Sequence, residues 1–180
     1  CGTDRLAQMI KKLNIDENTV IVNVQGDEPL IDPKHIDQVA KLLEDTKADM
    51  ATLCFEIDNV KDVFDLNCVK VVFDKNQKAI YFSRAPIPYE RDNFKLGNVQ
   101  ELKHKHYHHV GIYAYKAKTV LEYAAMSQTS LEIAESLEQL RLMENGKTVA
   151  VGICSEPPKT GVDTKEDLDR INAYLKEIEG

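Results

Sequence analysis

Glycine and proline are scarce, 8 and 6 of 180 residues, and neither recurs in a repeat. That excludes a collagen-like or low-complexity chain. No apolar run approaches the roughly 20 residues that a bilayer-spanning helix needs, so no membrane role is expected. The opening residues, Cys1-Gly2-Thr3-Asp4-Arg5, lack the basic and then apolar regions of a signal peptide. An initiating Met is also lacking, which points to a processed or truncated chain. Cysteines are few, at positions 1, 54, 68 and 154, and none forms a Cys-x-x-Cys pair. Cys54, Cys68 and Cys154 sit in apolar, strand-like runs, where Cys behaves as a small buried hydrophobe. The expected setting is reduced and cytoplasmic. A basic excess is missing too: 30 acidic against 23 basic residues give a formal charge of -7. This argues against a general nucleic-acid binder, but not against one nucleotide held by a few local cations and a metal.

What is present is the profile of one globular domain, 43% hydrophobic and 29% charged. Thr3 is placed to cap a helix with Leu6, Met9, Ile10 and Leu13 on its inner face. The run Thr19-Val20-Ile21-Val22-Asn23-Val24 is too apolar to have one face in water and predicts a strand at the centre of a parallel sheet. Asp32 is an N-cap with Pro33 at the first helical position, followed by the stripe Ile36, Val39, Ala40 and Leu43. Strands are predicted over 49–57, 68–73 and 79–82, the last two joined by a turn at 74–77. Residues 84–104, with Pro86 and Pro88, form a long excursion from the core. A strand over 106–115 follows, then helices over 117–126 and 130–145, the second ended by Asn145-Gly146. A strand over 148–154 precedes a last helix, which Thr164 opens with Asp167 as capping-box partner. The alternation predicts a three-layer α/β fold with an inserted excursion.

Five segments carry chemistry. Gln25-Gly26-Asp27-Glu28-Pro29 follows a buried strand, where open α/β sheets bind ligands. A carboxylate there commonly holds Mg²⁺ on nucleotide phosphates; a plainer reading has Asp27 tying down its own turn. In Gly161-Val162-Asp163-Thr164, capping explains Thr164 but not Asp163, which is a candidate second metal ligand opposite Asp27. Arg84, just past a strand and before two prolines, is placed to grip a carboxylate bidentately, the alternative being a solvated surface Arg. Four of the five histidines fall within 104–109. His104, His106 and His108 share one strand face without a Cys or second cluster at zinc spacing. His109 and Tyr113 share a face with Gly111 between them, which suits hydrogen bonding to a polyhydroxylated ligand that needs close approach. Glu135 and Gln139, four apart on a predicted helix, form a face that can read sugar hydroxyls. A solvated face with a Glu138–Arg141 pair accounts for the same residues.

In order and spacing these segments resemble the CMP-Kdo synthetase family of cytidylyltransferases, Kdo being 3-deoxy-manno-octulosonate. The matching strings include Gly2-Thr3-Asp4-Arg5-Leu6, Val22-Asn23-Val24-Gln25-Gly26-Asp27-Glu28-Pro29 and Tyr81-Phe82-Ser83-Arg84-Ala85-Pro86-Ile87-Pro88. His109-Val110-Gly111-Ile112-Tyr113, Leu137-Glu138-Gln139-Leu140-Arg141 and Gly161-Val162-Asp163-Thr164 complete the set. The resemblance implies a Rossmann-like nucleotidyltransferase fold with a mixed, mostly parallel sheet, and a homodimer built partly through the excursion. It implies CTP and Kdo as substrates, with pyrophosphate released. It also implies Mg²⁺ on Asp27 and Asp163, with Gln25, Arg84, His109 and Tyr113 on the sugar acid. Glu135 or Glu138, with Gln139, is implied at its hydroxyls, and Thr3 and Arg5 near the nucleotide. Family members begin with a strand and a phosphate-cradling loop that have no counterpart here. The expectation is therefore a single domain over 1–180 without that segment. The rival readings are a cytidylyltransferase for another acidic sugar, such as a sialic acid, and an inactive fragment that binds sugar or dimerises.

Overall fold

The computed structural model describes residues 2–26, 29–95, 97–154, 156–158, 161 and 165–179. The elements run α1 (Gly2–Lys12), β1 (Val20–Val24), α2 (Pro33–Thr46), β2 (Met50–Glu56), α3 (Val60–Phe64), β3 (Lys70–Phe73) and β4 (Ala79–Ser83). They continue with α4 (Arg91–Phe94), β5 (Tyr107–Lys116), α5 (Ala117–Ala125), α6 (Ser130–Glu135), α7 (Gln139–Glu144), β6 (Val149–Ile153) and α8 (Lys165–Glu179).

The strands form one six-stranded sheet, ordered β4-β3-β5-β2-β6, with β1 also paired to β5. Alternation along the strands sends side chains to two apolar layers. From β2, Met50 and Cys54 face a cluster that includes Ala7 and Ile10 of α1, Val120 and Tyr123 of α5, and Leu140 and Leu142 of α7. Ala51 and Leu53 face Val39 and Leu43 of α2 on the other side. Helices on both faces of a sheet make the expected three-layer α/β arrangement.

The sheet is mixed, but its strand directions differ from expectation. Among the described residues only β2 and β6 pair in parallel, while β1–β5, β2–β5, β3–β4 and β3–β5 are antiparallel. The apolar run of β1 is half-buried and has β5 as its partner among the described residues. A continuous apolar run signals burial on two faces, and direction is a separate property that it does not encode.

Local chemistry set several elements as predicted. Asp32 accepts a hydrogen bond from the Lys34 amide and Pro33 starts α2. The β3–β4 turn puts Gln77 at φ 62°, and Gly146 closes α7 at φ 76°. Two helical predictions need correction. Thr3 lies inside α1 and is buried, so it does not cap that helix. The helix predicted over 130–145 is two short helices, broken where Ser136 adopts a left-handed conformation at φ 52°. The predicted cap at Thr164 lies outside the described residues.

The excursion is anchored through Phe94, which packs in a small cluster with Ile57, Val63 and Cys68 from outside it. Buried Glu90 accepts from Asn93 Nδ2 at 2.8 Å, from the His104 amide at 3.0 Å and from His106 Nε2 at 3.0 Å. His106 also reaches the Ile87 carbonyl through Nδ1 at 3.1 Å, which leaves neither ring nitrogen open.

Candidate functional site

The site arises from the register of β5. Along one edge it pairs with β2; along the other it pairs with β1 through residues 112–116 and with β3 at His108. Residues 109–111 therefore sit at a fork, between the end of β1 and the start of β3. A cavity of about 1650 Å³ opens there, and its walls include Gln25 and Gly26 from the first branch and Cys68 and Val69 from the second.

The cavity gathers most of the residues singled out in the sequence. Thr3 and Arg5 of α1, Gln25, Arg84, His109, Tyr113, Glu138 and Gln139 all line it. Asp27 and Asp163 lie outside the described residues; Gly26, which precedes Asp27, and Gly161, two positions before Asp163, line the same cavity. Gly111 is expected from the sequence to leave room for a ligand; the group that approaches it here is the Gln25 side chain, and a Cβ at 111 would sit 3.3 Å from Cδ and Nε2 of Gln25.

His109 is buried, with Nε2 3.0 Å from Oγ1 of Thr52 and its ring edge-on to Phe82. Burial, with neighbouring His108, pushes its pKa down to about 3, so the imidazole is neutral at physiological pH. Tyr113 lies 5.5 Å away, ring to ring. Burial and then the Glu138 carboxylate raise its phenol far above the usual range, so it keeps its proton. Gln139 is 4% exposed, and its Nε2 has no partner among the described residues. A buried donor left unmade is costly, and this one belongs to a cavity wall.

Glu135 departs from the expected role. Its carboxylate accepts from Ser83 Oγ at 2.6 Å, Tyr81 OH at 3.2 Å and the Arg84 amide at 2.9 Å. Burial alone would raise its pKa, but these hydrogen bonds outweigh that and lower it. The break at Ser136 turns Glu135 toward β4 and leaves Glu138 and Gln139 to face the cavity, so Glu135 and Gln139 share no helix face. The Glu138 carboxylate accepts from Thr3 Oγ1 at 3.2 Å, which ties α7 to α1. The suggested Glu138–Arg141 pair is replaced by a buried one: Arg141 Nε donates to Glu132 Oε2 at 2.7 Å and Nη2 to Oε1 at 2.5 Å.

Arg84 is less free than a bidentate carboxylate clamp would be. Its Nε donates to the Glu135 carbonyl at 2.8 Å and Nη1 to the Leu66 carbonyl at 2.8 Å. Its own carbonyl accepts from Nζ of Lys70 at 2.7 Å, and Lys70 donates as well to the carbonyls of Asp65 and Cys68. Sequence reasoning missed this role of Lys70, which is fully buried. The available signal was a lysine inside the apolar run Cys68-Val69-Lys70-Val71-Val72. The cavity thus joins two guanidinium groups, Arg5 and Arg84, to neutral His109, Tyr113 and Gln139 and to the carboxylates of Asp62, Asp65 and Glu138.

A family model described as cytidylyltransferase matches residues 1–149. A 3-deoxy-manno-octulosonate cytidylyltransferase of Actinobacillus pleuropneumoniae serotype 5b is 47% identical over 175 residues, covering 97% of this chain and 69% of its own length. One from Neisseria meningitidis serogroup A is 47% identical over 179 residues, covering 98% of this chain and 70% of its own length. Among solved structures, a CMP:2-keto-3-deoxy-manno-octonic acid synthetase complexed with CTP superposes with a TM-score of 0.85 at 36% identity. That alignment covers 98% of this chain and 68% of the other.

Proposed function

Because the chain belongs to the cytidylyltransferase family, we propose that it activates 3-deoxy-manno-octulosonate with CTP, giving CMP-Kdo and pyrophosphate. The observation that carries the choice of acceptor is the cavity wall. Arg84 lines it together with neutral His109, protonated Tyr113 and Gln139, whose Nε2 has no partner among the described residues. That set complements a sugar bearing one carboxylate and several hydroxyls.

In this reading the anomeric hydroxyl attacks the α-phosphorus of CTP in line, and pyrophosphate departs. Arg84 orients the carboxylate. His109, Tyr113, Glu138 and Gln139 hold the hydroxyls, and Gln25 packs over Gly111 at the sugar end. Thr3 and Arg5, on the α1 side of the same cavity, face the nucleotide. Fixing both reactants in one place supplies much of the rate enhancement in such displacements. Burial favours the neutral imidazole of His109, which acts here by hydrogen bonding.

The reading includes a divalent cation held by Asp27 and Asp163, supported by the placement of Gly26 and Gly161 on one cavity. When bound, Mg²⁺ neutralises charge on the phosphates and lowers the barrier to their displacement. It also includes a homodimer through the excursion, where Tyr89 is 60% exposed and packs edge-on against Phe94. A cytoplasmic setting fits the free, buried thiols of Cys54, Cys68 and Cys154.

Pyrophosphate release tests the proposal. Turnover is expected with CTP plus Kdo, and much less with sialic acid or with other nucleoside triphosphates. Preference for sialic acid would keep the reaction class and overturn the acceptor.

A further inference from the structure

Thr52 is fully buried on β2, where the register between β2 and β5 shifts immediately after it. Across that irregularity its Oγ1 lies 2.8 Å from the Ile112 carbonyl, 3.2 Å from the Val110 carbonyl and 3.0 Å from Nε2 of His109. A threonine hydroxyl has one proton and two lone pairs, so only one of these neighbours takes a full hydrogen bond from it. The other close partners must donate or lie off its axis.

The carbonyls cannot donate. An O···O separation of 2.8 Å is the usual length of an O–H···O bond, and without the hydrogen it would bring two lone pairs together. The proton therefore points to the Ile112 carbonyl, with the longer Val110 contact at its side. What remains on Oγ1 for Nε2 of His109 is a lone pair, so Nε2 must carry a hydrogen. In a neutral imidazole that leaves Nδ1 bare. Among the described residues no hydrogen bond reaches Nδ1, and His109 lines the cavity.

We infer that Thr52 is a positioning residue which fixes His109 in the Nε2–H form, so that Nδ1 presents a lone pair to a hydroxyl of the bound substrate. The substrate half of this rests on the function proposed above. His109 thus reads a donor hydroxyl at that point, and an acceptor such as an ether or carbonyl oxygen is disfavoured there. Thr52 touches no substrate and acts only through the ring.

Nitrogen-15 NMR of the two ring nitrogens of His109 tests this directly in the whole protein. The wild type is expected to show a protonated Nε2 and an unprotonated Nδ1, with the Nδ1 signal moving on addition of Kdo. Thr52→Val removes the acceptor while keeping the shape, and the ring should become a mixture of tautomers. Thr52→Ser should restore the single form. In turnover, Thr52→Val should raise the KM for the sugar acid by roughly fivefold to tenfold, the range of one hydrogen bond. The KM for CTP should stay within about twofold, and Thr52→Ser should recover the wild-type value. A protonated Nδ1 in the wild type, an unchanged tautomer in Thr52→Val, or an unchanged sugar KM despite a changed tautomer would each overturn the inference. Failure of the functional reading appears separately, as absence of pyrophosphate release in the wild type. The spectra then still decide whether Thr52 sets the ring.

Discussion

Arg84 and Glu135 are joined twice, main chain to side chain and side chain to main chain, with Arg84 the donor in both. The Arg84 amide donates to Oε2 of Glu135 at 2.9 Å, while Nε of Arg84 donates to the Glu135 backbone carbonyl at 2.8 Å. The end of β4 and the end of α6 are thereby locked together, and the guanidinium is aimed before any ligand arrives. Such preorganisation lowers the cost of ordering on binding.

Replacing Glu135 should therefore separate aim from chemistry. Glu135→Ala strands three donors at once, and stability should fall by about 1–3 kcal/mol in urea unfolding, the cost of unmade buried hydrogen bonds. The KM for the sugar acid should rise by roughly tenfold, the equivalent of about 1.4 kcal/mol, with the KM for CTP little changed. An unchanged sugar KM would mean that Arg84 keeps its place unaided or does not meet the substrate.

The Glu132–Arg141 pair is nearly fully buried, and the guanidinium also lies 4.6 Å from the centre of the Tyr123 ring. Removing one member leaves an unpaired buried charge. Arg141→Met should cost about 3–5 kcal/mol, whereas Arg141→Met combined with Glu132→Leu should recover most of it. Denaturant midpoints of the two variants decide, and equal losses would show that the charges are not coupled.

For the carboxylates assigned to the cation, Asp27→Asn and Asp163→Asn should each abolish pyrophosphate release while leaving the melting temperature near that of the wild type. Near-normal turnover in either variant removes that residue from the mechanism.

A pH effect is expected from the excursion. Burial alone would raise the Glu90 pKa, but hydrogen bonds from Asn93, His106 and the amides of His104 and Lys103 hold it down at about 2. An unfolded Glu titrates near 4.3, so below roughly that pH the unfolded chain takes up a proton that the folded one refuses. The stability contributed by Glu90 is complete above about pH 5 and is lost as pH falls toward about 2. The stability gap between wild type and Glu90→Gln should be constant above about pH 5 and close on acidification. A gap independent of pH would show that Glu90 is not held ionised by these bonds.

Much of this was legible in the sequence, for reasons specific to each element. Asp32 and Pro33 announce α2 because capping chemistry is local, and the β3–β4 hairpin follows from two apolar runs around a polar turn. His109 and Tyr113 come together as their shared strand face predicts, and Gln139 lines the same cavity although the helix face it was to share with Glu135 is broken. The break at Ser136 had no Gly or Pro to mark it, so Glu135 was given a place on the wrong face. The direction of β1 depends on a partner 92 residues away, Val24 against Ile112 being the near end of that pairing and Val20 against Lys116 the far end. Thr52 and Lys70 were invisible as site residues because both act through atoms brought near only by the completed sheet.

That completed sheet depends on one late segment. β5 pairs with β1, β2 and β3, so of the pairings described only the β3–β4 hairpin can close before residue 107 is made. Synthesis proceeds at about 5–20 residues per second, and the apolar strands β1 and β2 wait several seconds on the ribosome for their β5 partner. The interval between the emergence of β2 and that of β5 is therefore the period of greatest exposure to aggregation or chaperone capture. A translational pause within residues 57–106 would lengthen that period, and one after Lys116 has emerged would not.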